Sequence, residues 1–209
     1  MRLPSSLKAL LIDFDGTLVQ STSFLYEAYE KVMKKRGLHP SKEEFSSLSG
    51  PTIVEASSLL QKKYALKEDP RGLYKEWKSI LLPCYRNQTV CAEGAEEIFS
   101  LGLKVALVTS AEKDFVEAFL EKHPFQFDLL VCKEDYKKSK PDPEPYLTAL
   151  KKLKISASFA IAIEDSYNGA LSAVKAGVYT FVIGEKSLLP ETHSVKSLAD
   201  AVNILKKTL

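Results

Sequence analysis

Five short apolar runs, each ending in polar residues or glycine, punctuate the chain. Residues 7–12 lead to Asp13, 105–108 to Thr109 and Ser110, and 129–132 to Lys133. Residues 159–163 lead to Glu164 and Asp165, and 179–183 to Gly184. The runs are continuously apolar rather than alternating, which predicts strands covered on both faces, as in a parallel sheet. Helix-like stretches separate them. Residues 92–101 stop before Gly102, residues 113–122 follow the second run, and residues 169–176 close at Gly177. Asp142 and Pro143 open another helix, with Asp142 as N-cap and Pro143 at the first helical position. Strands alternating with helices predict an α/β, doubly wound parallel sheet.

One block breaks the alternation. Between about Val19 and Pro83 no strand pattern occurs, only amphipathic stretches. Phe24, Leu25, Ala28, Tyr29, Val32 and Met33 recur at helical spacing. Ser41 followed by Glu44 reads as a capping box for a second helix, and residues 53–64 and 73–82 supply two more. The expected organisation is an α/β core of residues 1–18 and 85–209, with a small all-helical cap, 19–84, inserted after the first strand.

Composition narrows the class without naming it. Of 209 residues, 45% are hydrophobic and 27% charged, the balance of an ordinary globular protein. A net charge of +2 gives no push toward nucleic acid or an anionic membrane. The lysines at 34–35, 137–138 and 151–152 read as solvated faces. Cys84, Cys91 and Cys132 are odd in number and lack metal-ligand spacing, which suits free thiols in a reducing compartment. With neither a signal-peptide pattern nor an 18-residue apolar window, the expectation is a cytoplasmic protein, monomeric or weakly homo-oligomeric.

The chemistry gathers where the runs end. In an open α/β sheet the loops at the carboxyl ends of the strands form the ligand crevice. Here those ends carry Asp13, Asp15, Thr109, Ser110, Glu164 and Asp165, with Lys140 in a loop nearby. Converging carboxylates repel one another unless a cation intervenes, and Mg²⁺ is a hard cation suited to them. Plain alternatives exist for each. Asp13 and Asp15 precede Gly16 and could serve a turn; Thr109 and Ser110 could cap the following helix; Lys140 could be one more solubilising lysine.

Four segments nevertheless resemble, in order, the signatures of the haloacid-dehalogenase-like hydrolase superfamily. They are Asp13-Phe-Asp-Gly-Thr-Leu-Val19, Val108-Thr109-Ser110, Lys140-Pro141-Asp142-Pro143 and Ile163-Glu164-Asp165-Ser166. The resemblance spans essentially the whole chain and implies a phosphatase acting on a small phosphorylated metabolite. It implies Asp13 as nucleophile through an aspartyl-phosphate and Asp15 as general acid–base, help typically worth about 10²–10⁴-fold. Gly16, Thr109, Ser110 (through its amide) and Lys140 would contact phosphate. Asp13, the Asp15 backbone carbonyl and Asp165 would hold Mg²⁺, with Glu164 a further or indirect ligand.

The insertion resembles the helical cap of the β-phosphoglucomutase and phosphoglycolate phosphatase branch, a lid that chooses the leaving group. Its loop Ser49-Gly50-Pro51-Thr52 makes Gly50 and Thr52 candidate specificity residues, with Tyr26, Tyr29, Trp77 and Lys78 weaker ones. Two departures stand out: Gln20 replaces the usual Asp after DGTLV, and Leu25 occupies the place of a cap His that sugar-phosphate mutases carry. The rival readings are such a mutase and, from other classes, a phospho-acceptor regulatory domain or a catalytically silent binding protein.

Overall fold

The structure, a computed structural model, describes residues 6–48, 51–184 and 189–209. Its central feature is a parallel sheet of β1 (Ala9–Ile12), β2 (Lys104–Val108), β3 (Leu129–Val131), β4 (Ala160–Glu164), β5 (Tyr179–Ile183) and β6 (Thr192–Val195). The strand order is β3-β2-β1-β4-β5-β6. All four residues of β1 are buried, and their alternation feeds two cores. Leu10 and Ile12 join one apolar cluster with Phe115, Phe119 and Leu205; Ala9 and Leu11 join another with Tyr146, Ala149 and Ala173. The first cluster includes side chains of α5 (Lys113–Lys122) and α8 (Leu198–Thr208). The second draws on α6 (Glu144–Leu153) and α7 (Tyr167–Lys175). Two covered faces explain why the strands read as continuous apolar runs.

The block after β1 is helical: α1 (Thr22–Lys34), α2 (Lys42–Ser47), α3 (Ile53–Lys63) and α4 (Pro70–Asn87). The buried stripe Phe24, Ala28, Tyr29, Val32 and Met33 packs in the same cluster as Leu60, Leu73 and Trp77. Ser41 caps α2 by accepting from the Glu44 amide, yet the Glu44 carboxylate does not turn back as in a full capping box. It accepts instead from the Tyr29 and Tyr64 hydroxyls and pairs with Lys63. Among the described residues no helix is long and apolar enough to cross a membrane.

The structure departs from the sequence reading in four further places. The fourth cap helix is longer than residues 73–82 and continues through the expected boundary at 84/85 to Asn87, with Pro83 inside it. Residues 92–101 form not a regular helix but turns and a short 3₁₀ segment, Glu97–Ser100. Asp142 is not the N-cap of α6: that place falls to Pro143, while the Asp142 carboxylate accepts from the Glu144 amide in a local turn. Finally β6, with the polar sequence Thr-His-Ser-Val, adds an edge strand that carries no apolar run.

The two crossings between sheet and helical block lie side by side. Val19 bridges Cys91, the Gln20 amide donates to the Val90 carbonyl at 2.9 Å, and the Ala92 amide to the Leu18 carbonyl at 2.9 Å.

Candidate active site

Register brings the candidate residues to one level. Ile12 lies opposite Leu107 on one side and Ile163 on the other. The next residue on each strand is therefore Asp13, Val108 and Glu164, with Thr109 and Asp165 one step beyond. Because β1 is flanked by β2 and β4, whose connections run to opposite edges, this is a topological switch point.

Lys140 reaches this level from the loop before α6. Its Nζ donates to Asp13 Oδ1 at 2.6 Å, to Glu164 Oε1 at 2.5 Å and to the Val108 carbonyl at 3.0 Å. It is 3% exposed, so the Lys-rich sequence around it misrepresents its surroundings. Burial alone would pull its ammonium down, but Asp13 and Glu164 outweigh that and hold it above its ordinary range.

Oxygens of Asp13, Glu164 and Asp165 lie within 4.8 Å of one another. Burial, reinforced by the Glu164 and Asp165 charges and opposed by Lys140, raises the Asp13 carboxyl well above the usual carboxylate range. Asp165 opens onto the crevice, but the enclosing walls and then Glu164 push it up to about 7. One ammonium cannot balance three carboxylates, and clustered hard oxygens are what a divalent cation such as Mg²⁺ prefers. The donor set fits that ion. Glu164 Oε1 is already held by Lys140 and by the Tyr146 hydroxyl at 2.6 Å, which leaves Asp13 and Asp165 as the more open ligands.

Two glycines make room for these acids. Gly16 has φ +83°, and a Cβ there would lie 2.0 Å from Asp165 Oδ2; a Cβ on Gly169 would lie 2.0 Å from Glu164 Oε2. Gly16→Ala is therefore expected to displace Asp165 and cut any turnover at this crevice by about 100-fold or more, measured on the purified variant beside the wild type. Activity within a factor of three of wild type would show that Asp165 can move without cost.

Asp15 points to the inner side of α4. Its Oδ1 accepts from the Tyr85 hydroxyl at 2.8 Å. Burial raises the Asp15 carboxyl, and the Tyr85 bond is among the contacts that pull it back. Thr109 is buried beside the crevice, where its Oγ1 accepts from the Ala111 amide at 2.9 Å, and Ser110 lines the same space.

Above these residues lies a cavity of about 650 Å³ between sheet and cap. Cap and core also meet around it. Lys78 pairs with Glu112 at 2.6 Å and Asp114 at 2.8 Å, the Tyr74 hydroxyl donates to Glu112, and Ser139 donates to Glu55. Of the cap candidates, Trp77 lines the cavity. Thr52 does not: it caps α3 in a reciprocal box with Glu55. Tyr26 and Tyr29 pack against Phe45, and Lys78 serves the contact with α5. Gly50 lies outside the described residues. Sequence reasoning missed Tyr85, Tyr146 and Gly169. Of these only Gly169 left a trace, as a glycine inside a helical pattern, which often marks close approach.

Comparison with known proteins agrees with this geometry. Residues 10–183 match the haloacid dehalogenase-like hydrolase family. Over 97% of its length the chain is 28% identical to the phosphorylated carbohydrates phosphatase of Thermotoga maritima, covering 100% of that protein. It is also 28% identical to the validoxylamine A 7'-phosphate phosphatase of Streptomyces hygroscopicus, over 95% of this chain and 93% of the relative. The β-phosphoglucomutase of Clostridium difficile superposes with a TM-score of 0.82 at 22% identity, covering 97% of this chain and 96% of that one, a likeness of fold. The chain belongs to the haloacid dehalogenase-like hydrolase family, in its β-phosphoglucomutase and phosphoglycolate phosphatase branch. Within that branch it is an enzyme of the phosphatase kind.

Proposed function

We propose that the protein is a Mg²⁺-dependent phosphatase that hydrolyses a small phosphorylated metabolite through an aspartyl-phosphate on Asp13. The observation that carries this reading is the buried Asp13 carboxylate, held by Lys140 beside Asp165 at the floor of the cavity between sheet and cap. An oxygen of Asp13 attacks phosphorus and the ester P–O bond breaks, while Asp15 gives its proton to the departing alkoxide. Water then attacks the aspartyl-phosphate, Asp15 takes its proton, and inorganic phosphate leaves. Lys140 and the Thr109–Ser110 turn hold the phosphoryl oxygens throughout, and Glu164 with Tyr146 holds Lys140 in place. Asp13, Asp165 and the Asp15 carbonyl would hold Mg²⁺, which neutralises charge on the transferring group when bound. Phosphate release from a panel of phosphorylated metabolites, with and without Mg²⁺, tests the reading; no release from any of them sinks it.

The mutase reading is weaker. A mutase retains a sugar with two phosphates in turn, and among the described residues no charged cap side chain lines the cavity, where Leu25 sits.

The Tyr85 bond gives this mechanism a second test. Tyr85→Phe is expected to slow alkyl phosphates about tenfold or more while changing p-nitrophenyl phosphate by less than threefold, since that leaving group needs no proton. Equal losses on both would mean that Tyr85 does not position the acid.

The carboxylate cluster also fixes a sign for stability. Asp13, Asp15 and Asp165 are raised in the folded protein, so without metal their contribution is present below about pH 4. It is lost as pH climbs toward the raised folded values, about 7 for Asp165. Mg²⁺ is expected to raise the melting temperature, by about 2.7 kcal/mol of stability at 100 times its Kd. The gain should be larger at pH 8 than at pH 5.5, where protons compete; thermal melts with Mg²⁺ or a chelator at both pH values check this.

A further inference from the structure

We infer that the Tyr146 hydroxyl is a positioning group: it fixes Glu164, so that Lys140 can exchange Asp13 for the substrate's phosphoryl oxygen without losing its aim. This deepens the phosphatase reading and rests on it. A lysine ammonium has three hydrogens to donate. Lys140 commits all three, to Asp13 Oδ1 at 2.6 Å, Glu164 Oε1 at 2.5 Å and the Val108 carbonyl at 3.0 Å. A phosphoryl oxygen held by Lys140 must therefore displace one of these acceptors.

Only Asp13 is placed to give way. It lines the cavity, and Glu164 and Val108 do not. Val108 ends β2, where the amide of the next residue, Thr109, is bonded to the Val131 carbonyl of β3. Glu164 is wholly buried, and its Oε1 also accepts from the Tyr146 hydroxyl at 2.6 Å. Its Oε2 lies against Gly169, where a Cβ would come within 2.0 Å of it, and 3.4 Å from the Ser166 hydroxyl. The exchange thus takes place at Asp13, and it also frees the nucleophile from a hydrogen bond that blunts it.

Glu164 keeps its grip on Lys140 during that exchange because it is itself gripped. Among the described residues, Lys140 and Tyr146 are the two donors to Oε1. Without the phenol, carboxylate and ammonium are left to turn together. The Lys140 ammonium also lies over the Tyr146 ring, 5.3 Å from its centre. Ring and hydroxyl therefore act separately, and Tyr146→Phe removes only the hydroxyl.

The test compares wild type, Tyr146→Phe, Glu164→Ala and the double variant at saturating Mg²⁺. Turnover of p-nitrophenyl phosphate is measured, and orthovanadate and inorganic phosphate are titrated by calorimetry. Vanadate takes a five-coordinate form that resembles the transferring phosphoryl group, whereas phosphate resembles the ground state. Tyr146→Phe is expected to lower kcat and vanadate affinity about tenfold each, with KM and phosphate affinity changed less than threefold. Added to Glu164→Ala, it should cost less than about threefold more, because Tyr146 acts through Glu164. Wild-type behaviour of Tyr146→Phe would overturn the inference. So would equal losses for vanadate and phosphate, or a full loss on top of Glu164→Ala. Glu164→Gln takes the place of Tyr146→Phe if that variant does not fold, and vanadate and phosphate weakened equally there would also overturn it. Wild-type protein that neither turns over nor binds vanadate would count against the phosphatase reading itself. An active wild type beside an unaffected Tyr146→Phe would count against the role of Tyr146 alone.

Discussion

Asp13→Asn should abolish phosphate release, by about 10⁴–10⁶-fold, and still leave a folded protein. An amide cannot form the acyl phosphate, so the loss is chemical rather than structural. The substituted oxygen can still accept from Lys140, whose Nζ lies 2.6 Å from Asp13 Oδ1. Neutralising the side chain also removes a carboxylate that burial and its acidic neighbours disfavour. The melting temperature without metal should accordingly match or exceed that of the wild type near pH 8. Phosphate release and a thermal melt on the same preparation decide the matter. Turnover within about tenfold of wild type would remove Asp13 from the nucleophile's role, and a collapsed melt would make it structural.

Lys140→Met should have the opposite signature, loss of stability together with activity. The ammonium lies within 2.6 Å of two carboxylates and is almost wholly buried. Breaking such a pair from one side leaves uncompensated charge and typically costs about 3–5 kcal/mol. Without the cation, Asp13, which burial raises and Lys140 now pulls back, would titrate higher still in the folded state. Its contribution would be present below about pH 4 and lost as pH rises, so the deficit should be large at pH 8 and shrink toward pH 5. Urea unfolding at both pH values, in chelator, measures it. A deficit that ignores pH would point to lost packing against Tyr146, over whose ring the ammonium sits at 5.3 Å, rather than to charge.

How much of this could be read from the chain follows from what periodicity can see. Strands β1, β2, β4 and β5 are covered on both faces, so burial wrote itself into the sequence as apolar runs. Strand β6 lies at the sheet edge with its middle residues exposed, and nothing apolar marks it. Residues 92–101 carry helical spacing, yet Gly94 takes φ +93° with Ala199 of α8 so close that a Cβ would meet its backbone at 2.9 Å. Tertiary contact overrides the local pattern there.

At the site, Asp13, Thr109 and Asp165 were legible because strand ends converge by topology. The burial of Lys140 was not, because a lysine in a lysine-rich loop looks like surface until Asp13 and Glu164 close around it. Tyr85 falls beyond the expected cap helix 73–82; only the fold carries that helix on to Tyr85 and brings its hydroxyl to Asp15.

The paired crossings at Leu18–Gln20 and Val90–Ala92 bear on how the chain can reach this fold. Strands β1 and β2 are neighbours in the sheet although the whole helical block separates them in sequence. Joining them in a random chain means closing a long loop, and each doubling of loop length costs about 0.6 kcal/mol. The helical block's two ends emerge hydrogen-bonded to each other. A block that assembled first would hand the sheet a short connection in place of a long one. The segment that walls the cavity would then also act as the splint on which the first parallel pair is set.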